Sequence, residues 1–220
     1  LPISTTPPPH LSILPMKRAR KKLPLISLLV AFIGWLGWQF GPFQSIQAVT
    51  SLSDPQKLET LGERGANSRL NKIVYWLDQS DHRGFSADKT IDLAQWFNGT
   101  EKRRAALVKT SLLQNLKIAR ELGLLTGPNL DSLRRGRAAS VTRGPYAGES
   151  VEIDHIVPYS LAPEIGNELA NLEMLPRTLN RQKTNRVGPR QLAYAEKFYE
   201  AGLLTKPSWE RVKAKGGDGR

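Results

Sequence analysis

Asp154 and His155 are neighbours in the run Val-Glu-Ile-Asp-His-Ile-Val-Pro at residues 151–158, and Asn171 and Asn180 follow 16 and 25 residues after His155. An imidazole titrates at about pH 6.5, so it can take a proton from water near neutrality. A carboxylate and an amide oxygen are hard ligands of the kind that hold Mg²⁺ or Mn²⁺. The first run is rich in β-branched residues and is expected to form a strand that ends at Pro158. A loop containing Pro163, Gly166 and Asn167 follows. Residues 171–175, Asn-Leu-Glu-Met-Leu, are expected to form a second strand, leading through Pro176 into a helix over residues 177–186. Four asparagines compete for the amide role: Asn167, Asn171, Asn180 and Asn185. On a helix, Asn185 lies about 140° around from Asn180, so only one of that pair can face the strands. Side chains alternate along a regular strand, so Asp154 and His155 can address one site only if the strand distorts or ends there. Glu152 shares the face of Asp154 and reads either as an additional carboxylate or as a solvated glutamate.

Three segments occur in order: Asp-His-Ile-Val-Pro-Tyr-Ser at 154–160, Asn-Leu-Glu-Met-Leu-Pro at 171–176 and Asn-Arg-Gln-Lys at 180–183. Together they resemble the HNH endonuclease family, the ββα-metal nucleases, over roughly residues 140–190. The form that ends in Asn is similar to the HNH nuclease domain of RNA-guided DNA-cutting enzymes. The resemblance implies a nuclease that hydrolyses DNA phosphodiester bonds to 5′-phosphate and 3′-hydroxyl ends. It implies His155 as general base and a single divalent cation, Mg²⁺ or Mn²⁺, held by Asp154 and the side-chain oxygen of Asn180. It makes Asn171 a brace whose amide bonds the loop and keeps the histidine oriented. Many members of the family bind structural zinc through paired cysteines. This chain has none, so its scaffold is expected to come from packing against the helices before the unit and the amphipathic residues 191–204.

Basic residues surround that unit. Arg134, Arg135, Arg137 and Arg143 precede it with no acid between Ser132 and Gly148, and Arg177, Arg181, Lys183, Arg186 and Arg190 follow with none between Met174 and Ala195. Such segments suit a phosphate backbone, and Arg143, Arg181 and Lys183 are the candidates for direct contact. No groove-reading module is recognisable, so weak sequence specificity is expected, on DNA with RNA also open.

The elements that must hold this site are helical. Leu70, Ile73, Val74 and Leu77 draw one apolar stripe. Ser86 can cap a second helix carrying Ile91, Ala94 and Phe97, which Asn98-Gly99 ends. Thr100 can cap a third with Ala105, Val108, Leu112, Leu116, Ala119 and Leu122, running to Gly123 and then Gly127-Pro128. That helix also carries Lys102, Arg103, Arg104, Lys109, Lys117 and Arg120, a face that either lies along phosphates or is simply solvated. His82 reads as an exposed turn residue.

The chain has 220 residues, 32 Lys and Arg against 20 Asp and Glu, and a net charge of +12. That balance favours a polyanionic partner. The absence of cysteine excludes disulfides, zinc ribbons and cysteine nucleophiles. Part of the charge is Lys17, Arg18, Arg20, Lys21 and Lys22, directly followed by an uncharged apolar run to Trp38. This is the layout of a signal peptide or a membrane anchor. It predicts export of everything after residue 50, with a cut near Ala48 or, if uncleaved, a membrane contact through residues 23–40. Residues 1–15 read as an extension ahead of a start at Met16. The expected class is α+β: residues 16–50 signal or anchor, 51–128 helical support, 129–220 the ββα-metal unit. A rival reading is a membrane-tethered nucleic-acid-binding protein whose HNH unit no longer cuts.

Overall fold

The stripe on Leu70, Ile73, Val74 and Leu77 is completely buried, and the rest of the molecule is assembled around it. The computed structural model describes residues 25–217. In chain order the helices before the sheet are α1 Leu25–Phe40, α2 Phe43–Leu52, α3 Pro55–Glu59, α4 Gly65–His82, α5 Ala87–Phe97, α6 Lys102–Glu121 and α7 Gly127–Arg134. Then come β1 Val151–His155, two short 3₁₀ turns at Pro163–Ile165 and Leu169–Asn171, and β2 Leu172–Pro176. Helices α8 Arg177–Lys183, α9 Pro189–Glu200 and α10 Lys206–Gly217 complete the order. The class is α+β. β1 and β2 form one antiparallel two-stranded sheet in which Asp154 faces Glu173 and His155 faces Leu172.

A two-stranded sheet is marginal alone, and this one is carried by α6. The Ser111 hydroxyl donates to the carbonyls of Leu169 and Leu172 at 3.1 and 3.2 Å. The Asn115 amide donates to the Leu172 carbonyl at 2.9 Å and accepts from the Met174 N–H at 2.8 Å. Asn115 thus does for the free edge of β2 what a third strand would do. One continuous apolar cluster runs from Val49 in α2 through α4, α5 and α6 to Met174 in β2, Phe198 in α9 and Val212 in α10.

Several boundaries differ from the sequence expectation. The Ser86 hydroxyl caps α5 as expected, accepting from the Lys89 N–H, but α6 is capped by Glu101, whose carboxylate accepts from the N–H groups of Arg103 and Arg104, not by Thr100. α6 ends at Glu121, and Gly123 just beyond it takes φ +67, where a Cβ would strike the Thr142 hydroxyl. Gly127-Pro128 does not close that helix. It opens α7, because proline's fixed φ and missing N–H suit a helix's first turn. α8 stops at Lys183, followed by Thr184 at φ 52, so Asn185 lies beyond the helix and the rotational argument against it has no helix to act on.

The N-terminal boundary also moves. α1 has 16 residues, and no helix among the described residues is long and apolar enough to cross a membrane, so the expected anchor finds no spanning helix there. Gly41-Pro42 breaks the apolar run, and the chain beyond it folds into the body. Ser45, Ile46 and Val49 of α2 are buried, and α2 packs against α4 and α5. Ala48 therefore sits inside a packed helix, and the folded body begins near Phe43 instead of residue 51. The expectations for residues 1–15 and for the basic cluster at 17–22 lie outside the described residues.

Candidate active site

Alternation and register sort the sheet into two faces. Glu152, Asp154 and Glu173 project to one, and Val151, Ile153, His155, Leu172 and Met174 to the other. α8 lies over the carboxylate face. Asn180 and Lys183 are three residues apart on that helix and hence neighbours on its surface. The Asn180 amide nitrogen donates to Glu152 Oε2 at 2.7 Å, which leaves the side-chain oxygen of Asn180 available as an acceptor. Lys183 Nζ donates to Asp154 Oδ2 at 2.6 Å, to Glu173 Oε1 at 3.0 Å and to the His155 carbonyl. Glu152 further pairs with Arg177 at 3.4 Å. Asp154, Asn180 and Lys183 therefore share the face of the sheet that α8 covers.

The His155 ring is placed on the other face, buried beneath the loop of residues 156–171. β1 keeps its ladder through His155, and the chain bends only at Ile156 and Val157, so the expected distortion falls just after the Asp-His pair. Nε2 lies 2.8 Å from the Gly166 carbonyl. A carbonyl only accepts, so Nε2 carries the proton and Nδ1 is the basic nitrogen. The Tyr159 ring packs 5.7 Å away, centroid to centroid. Burial lowers the histidine pKa below its ordinary value; the Gly166 carbonyl and Asp154 oppose that shift, while Arg64 and Lys183 add to it.

Asn171 is fully buried and pins the same loop. Its side-chain oxygen accepts from the Val157 N–H at 2.8 Å, and its amide donates to the carbonyls of Val157 at 3.1 Å and Ile165 at 3.3 Å. Asn167 fastens the loop to the start of α4 through the Ala66 N–H and the carbonyls of Leu61 and Gly62. Glu168, buried, pairs with Arg104 of α6 at 2.7 Å. These side chains hold a cysteine-free loop at both ends. Beside the loop, a concavity is lined by Glu59, Glu63, Glu164 and Glu168 against a single cation, Arg104. That sign of charge disfavours a phosphate in this concavity.

Arg143 and Arg181 are exposed. Arg143 lies over Gly123 at the end of α6, and Arg181 lies on α8. Among the described residues no group of three or more His, Cys, Asp or Glu side chains converges to hold a metal ion. The set expected from the sequence is instead one carboxylate and one amide. The Asp154 carboxylate is engaged by the Lys183 ammonium, which a cation bound there would have to displace.

Sequence reasoning passed over Glu173, which is buried opposite Asp154 and receives Lys183 and a two-pronged contact from Arg190, at 3.2 and 2.6 Å. The alternation of β2 would have found it only once the register with β1 was known. Asn115, Ser111 and Arg104 were passed over as well, because their partners lie more than fifty residues away.

No family model matches the chain, and neither does a curated protein or a solved structure.

Proposed function

We propose that the chain is a metal-dependent endonuclease of the HNH type, hydrolysing DNA phosphodiester bonds to 5′-phosphate and 3′-hydroxyl ends with little sequence preference. The observation that carries this reading is the hairpin-and-helix unit itself. One ring nitrogen of His155 is tied to the Gly166 carbonyl, in a loop that Asn171 braces, while Asp154 and Asn180 share the sheet face under α8.

In this reading Nδ1 of His155 takes the proton of the attacking water, which requires the end of β1 at His155 to bring the ring and Asp154, on opposite faces of the regular strand, to one phosphate. Hydrogen bonding of Nε2 to Gly166 fixes the tautomer that makes Nδ1 basic, and burial keeps the ring neutral, hence competent as a base, near and below neutral pH. Asn171 acts through the loop, holding the carbonyl side of that hydrogen bond in place. Asp154 and the side-chain oxygen of Asn180 are the residues that would hold Mg²⁺ or Mn²⁺. They offer hard oxygen donors on one face of the sheet, and an ion bound there would displace the Lys183 ammonium from Asp154. When bound, such an ion neutralises charge developing on the phosphorane and on the leaving 3′ oxygen. Exposed Arg181 and Arg143 favour a phosphate backbone nearby. A location outside the cytoplasm rests on the basic cluster at residues 17–22 and the apolar run that α1 contains.

Plasmid nicking by the full chain with Mg²⁺ or Mn²⁺, against the same protein in chelator, tests the reading. Metal-dependent conversion of supercoiled to open-circular DNA is expected, and Asn180→Ala should raise the metal concentration needed. Retention of DNA without cutting under either ion would favour the rival reading of an inactive binding unit.

A further inference from the structure

Lys183 looks in sequence like a phosphate contact, but its donors are engaged. An ammonium has three N–H groups, and Asp154, Glu173 and the His155 carbonyl take all three. Its side chain is only 14% exposed. Arg190, at the start of α9, stands on the other side of the same buried carboxylate. Glu173 is 4% exposed and engages two of the five N–H groups of Arg190, which is itself 49% exposed. The Tyr194 ring lies 5.6 Å from the guanidinium carbon, so the side chain is fixed by a carboxylate and by an aromatic face together.

We infer that Arg190, oriented by Glu173 and Tyr194, is the cation of this sheet face that contacts the nucleic-acid backbone, and that Lys183 is an internal counter-ion joining Asp154 to Glu173. The inference rests on the nucleic-acid reading above. It assigns the two cations by chemistry. A guanidinium keeps its charge and its planar fork while sharing two donors with a carboxylate, and can offer others to phosphate. An ammonium with every N–H engaged must break a contact first. Glu173 is a positioning residue here, acting only through Arg190.

The test is binding of the full chain to a short labelled DNA duplex in chelator, monitored by fluorescence anisotropy over a salt series, so that no cleavage intervenes. Each phosphate neutralised contributes about 0.9 to the slope of log K against log salt. Arg190→Gln should lower that slope by about 0.9 and weaken binding, whereas Lys183→Met should leave the slope as in the wild type. Arg190→Lys, which keeps the charge, should restore the slope. Because Arg190→Gln leaves Glu173 with one partner fewer, the double variant Glu173→Gln/Arg190→Gln serves as its control and should show the same loss. An unchanged slope in both Arg190→Gln variants, or loss of the unit in Lys183→Met instead, overturns the assignment. Absence of salt-dependent binding by the wild type would overturn the nucleic-acid reading beneath it, and the wild-type series alone distinguishes that failure.

Discussion

The basic face of α6 and the basic stretch from α8 into α9 look alike in sequence and differ in what their charges do. On α6, Lys109 pairs with Asp88 and Asp92 of α5, Arg104 with Glu59 and Glu168, Arg120 with Asp78 and Asp81, and Lys117 with Glu121. Arg103 donates to the Glu200 carbonyl of α9. Most of the face expected to be either a phosphate track or solvated charge instead ties α6 to other elements, while Lys117 pairs within α6 itself and stays exposed. Past β2, Arg181 and Arg186 are exposed, and Arg190 is half-exposed beside its carboxylate. Positive charge in a sequence therefore says little about binding until its acidic partners are placed. On α6 most partners come from other elements, whereas past β2 Arg177, Lys183 and Arg190 pair with Glu152, Asp154 and Glu173 of the sheet and Arg181 and Arg186 stay exposed.

This contrast can be broken by substitution, beginning with the largest effect. Arg104→Met would strand the buried Glu168 carboxylate, whose pKa burial already pushes up. A loss of about 3–5 kcal/mol is expected on removing one member of a buried pair, with no change in the salt slope of DNA binding. Chemical denaturation measures the first and anisotropy the second. If Arg104→Met lowered the slope and left stability intact, the two regions would have their roles reversed.

Asn171→Ala comes next. It leaves the Val157 N–H and the Val157 carbonyl without their side-chain partner, at about 1–3 kcal/mol for each buried group left unsatisfied. It should also slow nicking in protein that is still folded at the assay temperature, since the loop that orients His155 loses its brace. Full activity in folded Asn171→Ala would show that the loop needs no such support.

Single exposed cations provide the finest discrimination. Arg181→Gln should lower the salt slope by about 0.9 while moving the thermal midpoint little. Lys109→Gln should leave the slope unchanged and cost no more than about 1 kcal/mol, as expected for a partly solvated ion pair. Equal slopes for the two variants would erase the distinction between α6 and the α8–α9 segment.

His155 adds a pH dependence of stability in chelator. Its folded pKa lies below the unfolded value of about 6.5, so below that pH the unfolded chain takes up a proton that the folded protein resists. Its contribution is therefore present above about pH 6.5 and is lost as pH falls toward the folded value. Wild type should lose stability relative to His155→Gln between pH 7.5 and 5.5, by up to about 1.4 kcal/mol per unit of the interval. A constant difference across that range would contradict the burial of the ring.

The sequence made the α+β class, the apolar stripe of α4, the Ser86 cap and the strand-loop-strand-helix order legible, because each depends on periodicity or on a residue acting within a few positions of itself. Two features were visible only in three dimensions. The grouping of Glu173 with Asp154 depends on strand register, which no local pattern sets. The partners of Arg104, Ser111 and Asn115 are far along the chain, so nothing near them distinguishes a structural tie from a solvated face. α2 was misjudged for a related reason. Its uncharged stretch continues the apolar run of α1, and only packing against α4 and α5 separates the two. The Lys183 role was legible as a basic residue near the site, but not the fact that all its donors are taken.

The central claim is that His155 is the general base of a metal-dependent nuclease, and the most direct measurement is single-turnover nicking of supercoiled plasmid by the full chain and by His155→Ala. Both are assayed in Mg²⁺ or Mn²⁺ below the thermal midpoint of each protein. Wild type should nick, and His155→Ala should be slower by about 10²- to 10⁴-fold, the range typical of a lost general base. A folded His155→Ala that nicks as fast as wild type would contradict the account.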